Sequence, residues 1–372
     1  MVYFNLIMKK LMLFLIVFNV ISFVTKAQDD GIFTESRPTV LGVSFDYGNL
    51  LKHTESLRQI DDAYPFAIKL DWSKHLITQE SWDFCNCFPR VGVSLAYWDW
   101  DNPEVLGIGI IPLAYVEPYF LTQKRINLFV RMGLGGAFLT KQYDEISNPL
   151  NESYSTLFNF MIVLGVGVNY RLTDKLNLRL AAKYNHISNG GVRTPNKGLN
   201  FPSLNIGLNT SLEPIEFPSL TKNGKREPPE DKTRWSVVHF SGWSNANVGD
   251  KDKFYVLGFQ GNYAKWVGGR SALTAGTEWT FDYSRKERFN LEGSNAAFGQ
   301  GAFLGGHEFW LGSVTFSQQI GVYYFKQNRS TDSVYQRYGL SYLFTKHVFA
   351  GFNLKAHLHV ADFFDFRIGY VF

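Results

Sequence analysis

Residues 186–200 read H-I-S-N-G-G-V-R-T-P-N-K-G-L-N, which sets a histidine and a serine two positions apart. A serine hydroxyl becomes a nucleophile when an imidazole within hydrogen-bond reach takes its proton and a third group holds that ring in one tautomer. Side chains two apart in a β-strand share a face, so an extended chain makes His186 and Ser188 neighbours. If the chain turns back on itself, Asn200 joins the same face. Its amide oxygen can fix the imidazole tautomer, although it lacks the charge with which a carboxylate steadies the imidazolium. Asn189, or backbone N–H groups near Gly190 and Gly191, could stabilise a tetrahedral oxyanion. The chemistry implied is ester hydrolysis through an acyl-enzyme.

The flanking sequence predicts the hairpin. Leu176, Leu178, Leu180, Ala182 and Tyr184 alternate with Asn177, Arg179, Lys183 and Asn185, and the greasy series runs straight into His186 and Ser188. After a loop rich in Gly, Pro and Asn, alternation resumes with Pro202, Leu204, Ile206 and Leu208 against Ser203, Asn205, Gly207 and Asn209. Three polar groups thus sit at the loop end of an otherwise apolar face. Six more alternating segments precede the hairpin, beginning at Val40, Phe66, Val91, Val105, Ile126 and Leu157. Such lengths and turn-like gaps suit strands that cross a bilayer.

Residues 215–234 are Pro-rich and charged and read as a linker. Beyond them, at 235–372, strand-like segments begin at Trp235, Phe254, Leu273, Phe303, Val314, Val334, Val348 and Phe363. The halves read as a tandem duplication: G-V-N-Y-R-L-T-D from Gly167 aligns with G-L-S-Y-L-F-T-K from Gly339 at an offset of 172. At that offset His186 falls on Leu358 and Ser188 on Val360, so the second half keeps the strand and lacks the chemistry. The fold class expected is an all-β transmembrane antiparallel barrel architecture, with about sixteen strands as two homologous eight-stranded halves. One large barrel and two small ones both fit the linker.

Composition supports this class. Only 19% of residues are charged while 16% are aromatic, which suits strands with one lipid-facing and one polar face. A formal charge of +4 is too small to argue for nucleic acid. Residues 1–27 read as a secretory signal, with Lys9 and Lys10 before the apolar run Leu11–Val24 and the small residue Ala27 at its end. Cys85 and Cys87 receive no function: secretion makes an oxidised pair possible although a C-x-C bridge is strained by ordinary disulfide geometry, and two thiols are too few for a metal site. No metal or cofactor is expected.

The segment from His186 to Asn200 resembles the active-site segment of the outer-membrane lipid A 3-O-deacylase family, with its H-x-S-N start and P-N-x-G loop. The resemblance covers residues 38–214 as architecture and Lys183–Asn200 as a motif. It implies an eight-stranded barrel in the bacterial outer membrane, with catalytic groups facing the membrane at the outer rim. It also implies His186 as base, Ser188 as nucleophile and Asn189 as oxyanion donor, acting on the acyl chain ester-linked at position 3 of lipid A. Lys183 and Arg193 would then be placed to contact lipid A phosphates, with lipopolysaccharide and other outer-membrane lipids as the partners. The family has a glutamate where this chain has Asn200. A Ser-His-Asn set is similar instead to the outer-membrane phospholipase A family, which makes phospholipid hydrolysis the alternative; a lapsed enzyme or a pore is the non-catalytic one. The aromatic C-terminal strand ending at Phe372 resembles the signal read by the barrel-assembly machinery.

Other candidates are weaker. Glu117 reads as an interior group, Asp144 and Glu145 as solvated loop charges that could replace the missing carboxylate, and Trp72, Trp98 and Trp100 as an interfacial girdle.

Overall fold

Strict apolar–polar alternation leaves each strand one greasy face, and in a closed sheet that face must lie entirely outside or entirely inside. In the computed structural model it lies outside. Residues 34–60, 62–219, 229, 231–247, 252–327, 333–357 and 360–372 are described. The expected signal at 1–27, half of the linker, and Leu358 and His359 of the duplicated strand lie outside them.

The first barrel consists of β1 (Thr39–Gly48), β2 (Phe66–His75), β3 (Arg90–Asp99), β4 (Ile108–Glu117) with its short continuation β5 (Tyr119–Phe120), β6 (Ile126–Leu139), β7 (Phe158–Arg171), β8 (Leu176–Ser188) and β9 (Leu199–Ser211). Pro118, which cannot donate to a ladder, separates β4 from β5. Each strand pairs antiparallel with the next, and β9 returns to β1 with Val43 opposite Leu208. Counting β4 and β5 as one, eight strands close the ring. The second barrel runs β10 (Thr233–Ser244), β11 (Phe254–Gly268), β12 (Ser271–Asp282), β13 (Gly299–Leu311), β14 (Val314–Phe325), β15 (Val334–Leu343), β16 (Val348–His357) and β17 (Val360–Val371), and β17 closes on β10. The sixteen strands therefore form two eight-stranded barrels, not one large one. Closure of β9 on β1 forbids the wider ring.

Polarity is inverted relative to a water-soluble core. Leu41, Val43, Phe45 and Tyr47 of β1 are exposed, whereas Asp46 between them is buried. A lumen of this width is filled by side chains, here charged ones. Glu117 accepts from Arg90 (2.6 Å), Arg131 (3.2 Å) and Arg179 (3.1 Å), and Arg131 also donates to Asp71 (2.8 Å). The second barrel repeats the device, with Arg337 donating to Glu278 (3.1 Å) and Asp365 (2.7 Å). Glu117 is thus an interior group, as its sequence position between Tyr115 and Tyr119 suggests.

Among the described residues three short helical pieces escape the alternation pattern: a 3-10 turn at Glu55–Ile60, α1 (Gln79–Cys85) and α2 (Tyr283–Leu291). Thr78 caps α1 by accepting from Ser81 N–H (3.1 Å). Cys85 and Cys87 are joined as a disulfide at the end of α1, so of the states the sequence allows it is the oxidised pair that forms; the left-handed Asn86 between them (φ 50°) turns the chain back on itself. Trp98 and Trp100 are also corrected. They are buried, stacked at 5.5 Å and packed edge-on against Phe201, plugging one end of the first barrel. Trp72 does face outward. Past β9 the chain crosses the opposite end, where Phe217 packs on His75 and Phe88.

Deleting one partner of a buried ion cluster leaves uncompensated charge, at about 3–5 kcal/mol. Glu117→Ala should lower the unfolding free energy of the vesicle-embedded protein by about that amount in urea titration. A loss below about 1 kcal/mol would mean that water, not Glu117, compensates the three guanidinium groups.

Candidate active site

The β8–β9 hairpin sets His186 directly opposite Asn200 and the β7–β8 pair sets Ser188 opposite Phe160. Parity then turns His186, Ser188 and Asn200 to the outer, lipid-side face, alongside exposed Tyr184 and Leu204. All three polar residues are half-buried. His186 Nδ1 lies 2.7 Å from Asn200 Oδ1, and His186 Nε2 lies 3.1 Å from Ser188 Oγ. An amide oxygen only accepts, so Nδ1 carries the proton and Nε2 offers its lone pair to the serine hydroxyl. This is the tautomer in which a histidine can deprotonate serine.

The loop 189–198 is held from several sides. Asn189 Nδ2 donates to Arg193 O (2.7 Å) and Asn189 Oδ1 accepts from Gly191 N–H (3.0 Å), while Asn189 N–H donates to Asn196 Oδ1 (3.0 Å). Lys197 N–H and Gly198 N–H donate to Glu152 O and Ser153 O (3.0 and 2.8 Å). Gly198 has φ +78°, and a Cβ there would come within 3.0 Å of His186 Cε1, so its lack of a side chain leaves room for the imidazole.

These contacts sort the expected site residues. His186, Ser188 and Asn200 come together. Asn189 is adjacent, and its side-chain amide braces the loop. Gly190, with φ +68°, leaves its N–H without an acceptor among the described residues, two positions from Ser188. Lys183 is a correction: odd parity turns it into the lumen, where it is buried and ion-paired with Asp46, away from any lipid headgroup. Arg193 stays on the loop beside the site, half-buried. Asp144 caps its own loop through Ser147 N–H (2.9 Å) and remains exposed. Among the described residues no group of three or more His, Cys, Asp or Glu could hold a metal ion.

Two neighbours were invisible in the sequence. His53, in the loop after β1, lies with Nδ1 3.3 Å from Asn200 Nδ2 and with Nε2 3.0 Å from Lys197 O. Phe364 of the second barrel stacks on Phe160 at 5.9 Å and lies against Gly190. Asn200 carries a donor end that needs an acceptor, but nothing in the residue order names which loop supplies it.

Residues 65–209 match the family model described as lipid A 3-O-deacylase (PagL), and residues 233–372 match that of the acyloxyacyl hydrolase C-terminal domain. No curated protein sequence matches the chain. Among solved structures, the crystal structure of the outer membrane enzyme PagL is 18% identical over 45% of this chain and 97% of its own, with a TM-score of 0.33. Neisserial surface protein A is 12% identical over 47% of this chain and 97% of its own, at 0.32. A mutant porin of Rh. blastica is 10% identical over 91% of this chain and 100% of its own, at 0.20.

The Asn189 brace predicts a protease signature, because Arg193 and Lys197 are trypsin sites inside the loop. Asn189→Ala removes the side-chain bonds to Arg193 O and Gly191 N–H, at about 1 kcal/mol each. Limited trypsinolysis after Arg193 or Lys197 should accelerate about tenfold or more. Equal cleavage rates in parent and variant would show that other contacts hold the loop.

Proposed function

The chain belongs to the lipid A 3-O-deacylase family of the outer membrane, and we propose that it removes the acyl chain ester-linked at position 3 of lipid A, with Ser188 as nucleophile. The observation that carries this reading is the chain Ser188 Oγ–His186 Nε2 (3.1 Å) and His186 Nδ1–Asn200 Oδ1 (2.7 Å) on the membrane face of the first barrel. A nucleophile there meets acyl esters of lipids already in the leaflet, so the substrate need not leave the membrane.

The steps follow from the geometry. Ser188 Oγ attacks the ester carbonyl carbon as its proton passes to His186 Nε2. The carbonyl oxygen becomes an oxyanion, for which the Gly190 N–H is the proposed donor. When the tetrahedral intermediate collapses, the C–O bond to the sugar breaks and the departing oxygen takes the proton from His186. Water, deprotonated by the same imidazole, then attacks the acyl-Ser188 ester and releases the fatty acid. Asn200 holds the tautomer throughout without sharing the charge that His186 gains. Of the two basic side chains expected to meet a lipid A phosphate, Arg193 is the one that stays beside the site.

One observation favours a second reading. An asparagine as third member is similar to the phospholipase A pattern, so phospholipid in the same leaflet is the competing substrate.

Expression in outer membranes, followed by mass spectrometry of extracted lipid A and phospholipid, separates the readings. Lipid A should lose one ester-linked acyl chain with the parent. Ser188→Ala should reduce turnover by about four orders of magnitude or more, and Asn200→Ala by about a hundredfold, the lesser cost of a lost orienting group. Accumulation of lysophospholipid with intact lipid A would transfer the activity to the second reading. Unchanged lipids despite a folded barrel would overturn both.

A further inference from the structure

A carboxylate and an asparagine differ in a way that matters here. Both oxygens of a carboxylate accept, so either can receive His186 Nδ1–H. An asparagine presents one acceptor and one donor end. If the Asn200 amide turned over, its NH2 would face Nδ1, the imidazole proton would move to Nε2, and Ser188 would lose its base. The site needs a device that forbids the flipped amide.

We infer that His53 is that device: a positioning residue that sets the amide of Asn200 and, through it, the tautomer of His186. The inference rests on the proposed Ser188 chemistry. Lys197 O, a main-chain carbonyl, can only accept, so His53 Nε2, 3.0 Å away, carries a proton. In the neutral ring Nδ1 is then an acceptor, and it lies 3.3 Å from Asn200 Nδ2. That contact keeps NH2 on the His53 side and Oδ1 on the His186 side. Direction therefore runs one way from Ser188 through His186, Asn200 and His53 to Lys197 O, and the terminal carbonyl fixes every member. Leu51 O also lies 3.3 Å from His53 Nδ1; it could accept only from a doubly protonated ring, which could no longer accept from Asn200. Backbone places the ring as well, because Leu51 N–H donates to Asn200 O (2.8 Å). His53 and Asn200 are 147 positions apart in the chain, joined by the closing pair β1–β9.

The test is a set of variants of the full chain, reconstituted in vesicles with lipid A and followed by release of fatty acid. His53→Ala should lower kcat about tenfold or more while KM changes less than about twofold, as for a group that acts on the chemical step. His53→Asn, whose Oδ1 can take the place of Nδ1, should regain most of the loss. Asn200→Asp removes the flip, so His53→Ala in that background should cost less than about threefold. Parent-like kcat in His53→Ala, with Ser188→Ala inactive, would overturn the inference and leave the proposed function standing. An equal loss from His53→Ala in the parent and in the Asn200→Asp background would also overturn it, since His53 would then only brace the loop. Equal fatty-acid release by parent and Ser188→Ala would instead remove the proposed function beneath it.

Discussion

In an eight-stranded barrel a side chain has two destinations, the packed lumen or the lipid. The whole site depends on that constraint. A polar side chain sent to the lipid side is costly unless it finds a partner, and at the loop end of the β8–β9 hairpin three of them find one another. Ser188 donates to His186, and His186 donates to Asn200 across the ladder. The bonds that make these residues tolerable at a membrane face are the bonds that aim a lone pair at a serine hydroxyl. Stability and chemistry draw on one set of contacts.

The same constraint explains the interior. Side chains of opposite parity must fill a narrow lumen, and both barrels fill it with interlocked charge centred on Glu117 in one and Arg337 in the other. Such networks give a stiff wall behind β8. Precision at the site follows, because His186 and Asn200 sit on paired strands and only Ser188 borders a loop. That loop is clamped by Asn189 and by the 152–153 backbone, and Gly198 leaves room for the imidazole. The second barrel, whose matching strand lacks the histidine–serine pair, contributes Phe364 beside Gly190.

Much of this is legible in the residue order, for a physical reason. Period-two alternation marks a strand whose faces meet different media, and it locates all the long strands to within a few residues. His186, Ser188 and Asn200 are readable because parity fixes facing once a hairpin is assumed. What parity cannot supply is long-range closure. Whether β9 returns to β1 or continues into β10 depends on pairing between ends about 170 residues apart, which the pattern leaves open. His53 escapes a sequence reading for that reason. Proximity in sequence puts Lys183 at the site, although its odd parity already sends it inward. Residue type alone makes Trp98 and Trp100 a girdle, whereas the barrel needs a plug at that end. General geometry argues against the Cys85–Cys87 bridge; a helix end and a left-handed Asn86 bring the two sulfurs together.

Activation of Ser188 as a nucleophile on the membrane face is open to measurement. Its most direct test is covalent: treat the folded protein in vesicles with an alkyl fluorophosphonate and locate the adduct by peptide mass spectrometry. One adduct is expected, on Ser188, formed at a rate that collapses in His186→Ala. An unlabelled Ser188 in the folded barrel, or labelling that survives loss of His186, would contradict it.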